Sequence, residues 1–151
     1  MKTLPALCAI FFLTFLGTQA QAQTNGDLTP EMAAKELPQS LSLSLQIAYV
    51  CQGVLGSETY QGTRDTVTTI LVKMLSDGED DASARTQAAE FVKTAEDEAH
   101  SMCPDKTTCW RELLKMPQGS EAEGKTACAG AVKSMLEHTL GLLQIIYKSD
   151  S

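Results

Sequence analysis

The chain has 151 residues, 12 basic and 19 acidic side chains, a formal charge of −7 and 43% hydrophobic residues. That length bounds one ordinary domain. The scattered Lys and Arg lack the basic patch that releases counterions from nucleic acid, so nucleic acid is excluded as a partner, while the negative charge favours a protein partner that is basic.

Lys2, the apolar run from Leu4 to Leu16 and the small-residue site Ala20-Gln21-Ala22 read as a secretory signal peptide over 1–22, cut after Ala22, with a cut after Ala20 as second choice. The run of about thirteen residues falls short of the roughly 18 to 20 that cross a bilayer, so no membrane span is expected in the mature chain. Cys8 leaves with the signal. Residues 23–28 read as a flexible leader and 29–151 as a single helical disulfide-bonded domain. Removing 22 of 151 residues leaves 129, and because Lys2 is the only charged residue in the signal the mature charge is −8. The absence of an Asn-x-Ser/Thr sequon favours a periplasmic location over secretion along a glycosylating route.

Thr29, Pro30 and Glu31 form a helix start, with Thr as cap, Pro in the first turn and an acid at the positive end. Pro38 is expected to interrupt this helix. Beyond it, Leu41, Leu45, Ala48, Cys51 or Gln52, and Leu55 recur at three-to-four spacing and predict a helix ending near Gly56. The Leu41-to-Leu45 alternation also resembles a strand, but the helical period outlasts it. Gly53, Gly56 and Gly62 frame Ser57, Glu58 and Tyr60 as a polar turn. A second helix is expected from Gly62 to Thr66 onward, running to Asp77 and stopped by Gly78.

From Asp81 to Met102 there is no Gly or Pro, and Ala84, Ala88, Phe91, Val92, Ala95, Ala99 and Met102 form a stripe of mostly small residues on a third helix. Pro104 to Thr107 is a turn, followed by a short helix through Trp110, Leu113 and Leu114 that ends at Pro117-Gln118-Gly119. Ser120 and Glu123 form a capping box opening a long helix to about Tyr147, roughly 40 Å, thinned at Gly124, Gly130 and Gly141. The expected fold is all-α: an antiparallel bundle of about four main helices plus a short helix, stapled by two disulfides.

Four cysteines remain after the signal: Cys51, Cys103, Cys109 and Cys128. An even count in an exported chain reads as two disulfides, and their spacing lacks the paired short intervals of a zinc site. Of three connectivities, a hairpin folded at Gln118 favours Cys109 with Cys128, leaving Cys51 with Cys103 at the ends of two helices of the same direction.

His100 and His138 are the only histidines, and Glu96 lies one helical turn before His100, so a metal-dependent site through these three is the enzymatic alternative. No His-Glu-x-x-His, nucleophile elbow or phosphate loop is present. The expectation is therefore no catalytic residue, no metal and no cofactor. Ser57, Glu58, Tyr60, Trp110 and Arg111 are the candidate partner-contact residues. The plan resembles that of periplasmic immunity proteins, small periplasmic chaperones and four-helix cytokines, in layout only. An exported, non-enzymatic protein-binding domain is expected, most concretely an inhibitor or immunity-type protein that occludes its partner. The alternatives are a carrier of a small apolar ligand held between the third and last helices, and a small envelope chaperone.

Overall fold

The computed structural model describes residues 28–76 and 80–148; the expected signal peptide, the leader as far as Asp27 and the stop at Gly78 lie outside the described residues. Among the described residues the chain forms six helices and no strand: α1 (Pro30–Val50), α2 (Gln52–Leu55), α3 (Ser57–Ser76), α4 (Asp81–Met102), α5 (Cys109–Leu113) and α6 (Glu121–Lys148). Leu28, at the end of the expected leader, is partly buried against the core.

The capping signals act as the sequence implies. The Thr29 side chain accepts from the Met32 N–H at 3.3 Å. At α6, Glu123 N–H donates to Ser120 Oγ while Ser120 N–H donates to Glu123 Oε2 at 2.9 Å, a reciprocal box that satisfies two otherwise free donors. Two boundaries differ from expectation. Pro38 does not interrupt α1, because it and Ala34 both lie on the exposed side, where water can serve the Ala34 carbonyl that proline cannot. α3 begins at Ser57, not at Gly62 to Thr66. Only Gly56 breaks the chain there, with φ +84°, whereas Gly62 is an open helical position. The expected turn around Ser57, Glu58 and Tyr60 is thus the first two turns of α3. Its threonine-rich stretch is helical, with Thr63, Thr66, Thr68 and Thr69 each donating to the carbonyl four residues back.

α1 is the hub, packing against α3, α4 and α6, while α4 and α6 make no close backbone approach to each other. α1 and α4 run in the same direction, tied by Gln46 Nε2 to Glu98 at 2.9 Å and by Tyr49 Oη with His100 Nδ1 at 3.0 Å. α3 and α6 run the opposite way. Ala33, Leu37, Leu41 and Leu45 of α1 meet Val67 and Leu71 of α3, Ala88, Val92 and Ala95 of α4 and Leu142 of α6. Within this apolar layer Ser40 Oγ and Thr139 Oγ1 are buried 2.7 Å apart, and Ser44 Oγ lies 3.3 Å from Thr139. Ser44 also donates to the Ser40 carbonyl and Thr139 to the Met135 carbonyl, so no hydroxyl of the trio is left unbonded.

The disulfides join Cys51 to Cys128 and Cys103 to Cys109, each with Cα atoms 5.7 Å apart, which overturns the expected pairing of Cys51 with Cys103 and Cys109 with Cys128. The cause is register. Cys51 lies eleven residues beyond Ser40, and Cys128 eleven residues before Thr139. Eleven residues is close to three helical turns, so the antiparallel pairing that joins Ser40 to Thr139 brings Cys51 opposite Cys128. The hairpin argument fails because α5 is only five residues long and does not extend antiparallel to α6. Cys109 instead closes the short loop from Cys103.

The two bridges span 77 and 6 residues. Chain-entropy reasoning gives about 4.5 kcal/mol for the long loop and about 2 kcal/mol for the short one. Replacing Cys51 and Cys128 by Ala is therefore expected to lower the urea-unfolding free energy about twice as much as replacing Cys103 and Cys109; equal losses would overturn this ranking. The glycines of α6 separate in the same way. A Cβ at Gly124 would drive into the Trp110 ring, while Gly130 and Gly141 face open space. Gly124→Ala should cost about 1 to 3 kcal/mol, whereas Gly130→Ala should stabilise by up to about 1 kcal/mol, as read by thermal unfolding.

Candidate functional site

All four bridged cysteines lie at one end of the bundle, where α1 and α4 finish and α6 begins. Val50, Cys51, Cys103, Trp110 and Cys128 form a separate buried cluster there, with Val54, Leu55, Leu113, Leu114 and Met116 around it. The loop between Cys103 and Cys109 is organised by Asp105. Its carboxylate accepts from the Thr107 hydroxyl at 2.6 Å, the Thr107 N–H at 2.9 Å and the Thr108 hydroxyl at 3.1 Å, which holds its pKa below the usual carboxylate range. The loop is pressed onto α1 and α2. Lys106 Nζ stands 4.4 Å from the centre of the Tyr49 ring, and the Lys106 and Thr107 carbonyls approach Gly53 so closely that a Cβ there would clash.

Trp110 fills the centre of this pole. It is 1% exposed, its Nε1 donates to the Thr107 carbonyl at 3.1 Å, and its ring rests on the bare backbone of Gly124. α5 then ends in a left-handed turn. Met116 N–H bonds the Arg111 carbonyl at 2.8 Å and Lys115 N–H bonds the Glu112 carbonyl at 3.2 Å, the double bond pattern of a Schellman motif. Lys115 holds the left-handed position with φ +53°, where glycine is usual. Met116 packs back into the cluster with Trp110, supplying the apolar contact that accompanies such an ending.

Arg111 is fixed over this turn. Its guanidinium carbon lies 4.5 Å from the Trp110 ring centre and its Nη1 donates to the Gly119 carbonyl. Beside it an open depression of about 560 Å³ is lined by Thr108, Arg111, Glu112, Lys115 and Pro117. Neither Arg111 nor Lys115 forms an ion pair among the described residues, in contrast to Lys35, Arg64, Lys93 and Lys133.

A second polar cluster binds the start of α3 to the last turns of α4. Tyr60 Oη donates to Glu96, and Arg64 Nε donates to the same carboxylate oxygen at 2.8 Å. Burial first, then the hydrogen bond to Glu96, pushes the Tyr60 hydroxyl far above its ordinary pKa, and the Glu96 partnership raises that of Arg64. Tyr49 meets Tyr60 edge-on at 5.7 Å.

Of the residues singled out in the sequence, Ser57 and Glu58 are exposed at the start of α3, while Tyr60 and Trp110 are buried, at 7% and 1% exposure. Tyr60 and Trp110 therefore act inside the fold, one locking Glu96 and the other supporting α5. Arg111 alone of the five lines the depression. Glu96, His100 and His138 do not converge: Glu96 faces Tyr60 and Arg64, His100 faces Tyr49, and His138 Nε2 lies 3.1 Å from Glu36. Among the described residues no group of three or more His, Cys, Asp or Glu side chains could hold a metal ion, and no helix is long and apolar enough to cross a membrane. Thr108 falls within the turn from Lys106 to Arg111 that the inhibitor reading expects to form an exposed patch, whereas Glu112, Lys115 and Pro117 escape sequence reasoning as site residues. The available signal was Pro117, which sits two residues after the left-handed position, where proline commonly follows a helix end.

Comparison with family models, with curated proteins and with solved structures finds no match to this chain.

Glycine adopts positive φ without the clash that a Cβ introduces. Lys115→Gly is expected to stabilise the fold by about 0.5 to 1 kcal/mol and to raise Tm. A fall in Tm would show that the Lys115 side chain contributes more than its backbone conformation costs.

Proposed function

We propose that this protein is an exported, non-enzymatic helical binding domain that occludes a protein partner, in the manner of a periplasmic inhibitor or immunity protein, and that the disulfide pole is its contact face. The observation that carries the reading is the depression beside Arg111, set on a base of Trp110 and two disulfides. A surface held this firmly loses little freedom when a partner docks, so more of the contact energy appears as affinity.

Two further features support it. The four bridged cysteines are compatible with an oxidising compartment outside the cytoplasm, in accord with the signal peptide expected over 1–22. The carrier alternative needs space between α4 and α6, but α1 packs against both, with Leu37, Leu41 and Leu45 buried in the core.

Photo-crosslinking tests the assignment. A benzophenone amino acid at position 112 beside the depression, and another at position 97 on the outer side of α4, sample two exposed surfaces. In cells that produce the protein, position 112 should yield one discrete protein adduct and position 97 none. Adducts from 97 and not from 112 would move the contact to α4 and overturn the assignment, as would the absence of adducts from both.

A further inference from the structure

We infer that the depression at the disulfide pole receives an acidic peptide segment of the partner, held by Arg111 and Lys115. This rests on the pole being the contact face and adds the chemistry of what it contacts. Three observations converge on it.

The first is local charge. The lining of the depression carries Arg111 and Lys115 against Glu112, a net of +1 in a chain of net −7. Asp105 keeps its charge, but its carboxylate is turned to Thr107 and Thr108 of its own loop and does not line the depression.

The second is the state of the two cations. The Arg111 guanidinium is held by the Trp110 ring and the Gly119 carbonyl, which uses one of its five N–H donors. Neither contact neutralises its charge. Lys115 projects from a left-handed residue fixed by the Schellman hydrogen bonds, and its ammonium has no partner among the described residues. An ordered guanidinium next to an unpaired ammonium is a ready receptor for carboxylates, with Arg supplying planar geometry and Lys a mobile point charge.

The third is size. The depression is an open trough of about 560 Å³. Thr108 and Pro117 complete the lining beside the charged groups, which suits consecutive residues of an extended chain. The acidic body of the protein still attracts a partner that is basic overall. Arg111 and Lys115 in the depression would then set its orientation, drawing in the one acidic segment that the rest of the surface repels.

Glu112 also lines the depression, and it gives the test a sign. The exported, oxidised protein, labelled with nitrogen-15, is titrated with an acetylated, amidated peptide of four glutamates and, separately, with four lysines and with inorganic phosphate. The expected result is saturable amide shifts confined to residues 108–119 with the glutamate peptide, none with the lysine peptide, and weaker binding of phosphate. Glu112→Gln should tighten the glutamate peptide about threefold, and Lys115→Asn should weaken it about threefold to fivefold. Asn tolerates the left-handed backbone, so Tm reports that the fold is intact. Shifts scattered over Lys35, Lys93 and Lys133 as well, or tighter binding of lysines than glutamates, would overturn the inference. So would phosphate binding as tightly as the peptide, which would make the pole a site for free anions. A crosslinked partner at position 112 without any response to the glutamate peptide would overturn the acidic segment alone and leave the pole as the contact face.

Discussion

The register between α1 and α6 is the constraint on which the rest of the molecule depends. Two helices that meet through leucines alone can slide by a turn with little penalty, because one apolar side chain replaces another. A buried hydroxyl cannot slide, since removing its partner leaves a polar group without a hydrogen bond at a cost of about 1 to 3 kcal/mol. Ser40, Ser44 and Thr139 therefore act as an index mark inside the core, and Cys51 with Cys128 is a second mark three turns away. Once both marks are matched, the start of α6 is fixed beside the end of α1. Trp110 can then settle on Gly124, and α5 can rest where it does.

The molecule is graded from one end to the other. Its far end is held by aliphatic packing among Ala33, Leu37, Val67, Ala88 and Leu142. Next to the disulfide end it is held by tyrosines, with Tyr49 and Tyr60 edge to face and hydrogen-bonded to His100 and Glu96. The disulfide end combines covalent bridges with the one tryptophan. Covalent and aromatic rigidity is thus concentrated where the chain is least regular, in the stretch from Cys103 to Gly119, which holds only the five residues of α5 in helical form. Regular helices need no such support; an irregular surface that must keep one shape does.

Much of this was legible in the sequence, and the failures have physical causes. Apolar spacing located the long helices, and the boundaries of α4 at Asp81 and Met102 came directly from a run without Gly or Pro. Glycines misled at the start of α3, because Gly56 and Gly62 look alike in sequence and only one adopts positive φ. At Pro38 the rule that proline breaks helices gave way to exposure, since the unserved carbonyl lies on the water side. The disulfide pairing does not follow the hairpin rule because α5, at five residues, is too short to lie antiparallel to α6. The cue that would have corrected it, Ser40 facing Thr139, is a long-range match of two hydroxyls that periodicity does not reveal. The depression was hidden for a similar reason. Its shape depends on Lys115 adopting a conformation that sequence rules reserve for glycine, and nothing in the residue type announces it.

The two disulfides, finally, do different work. The bridge across 77 residues removes a large fraction of the unfolded chain's freedom and secures the pairing of α1 with α6. The bridge across 6 residues closes a loop whose ends would be near each other in any case, so its effect on the unfolded chain is small. What it fixes is a surface: Lys106 over Tyr49, the Thr107 carbonyl on Trp110, and through Trp110 the seat of Arg111. A covalent link with modest effect on stability and a large effect on the shape of one exposed pole accords with the proposal that this pole is a contact face.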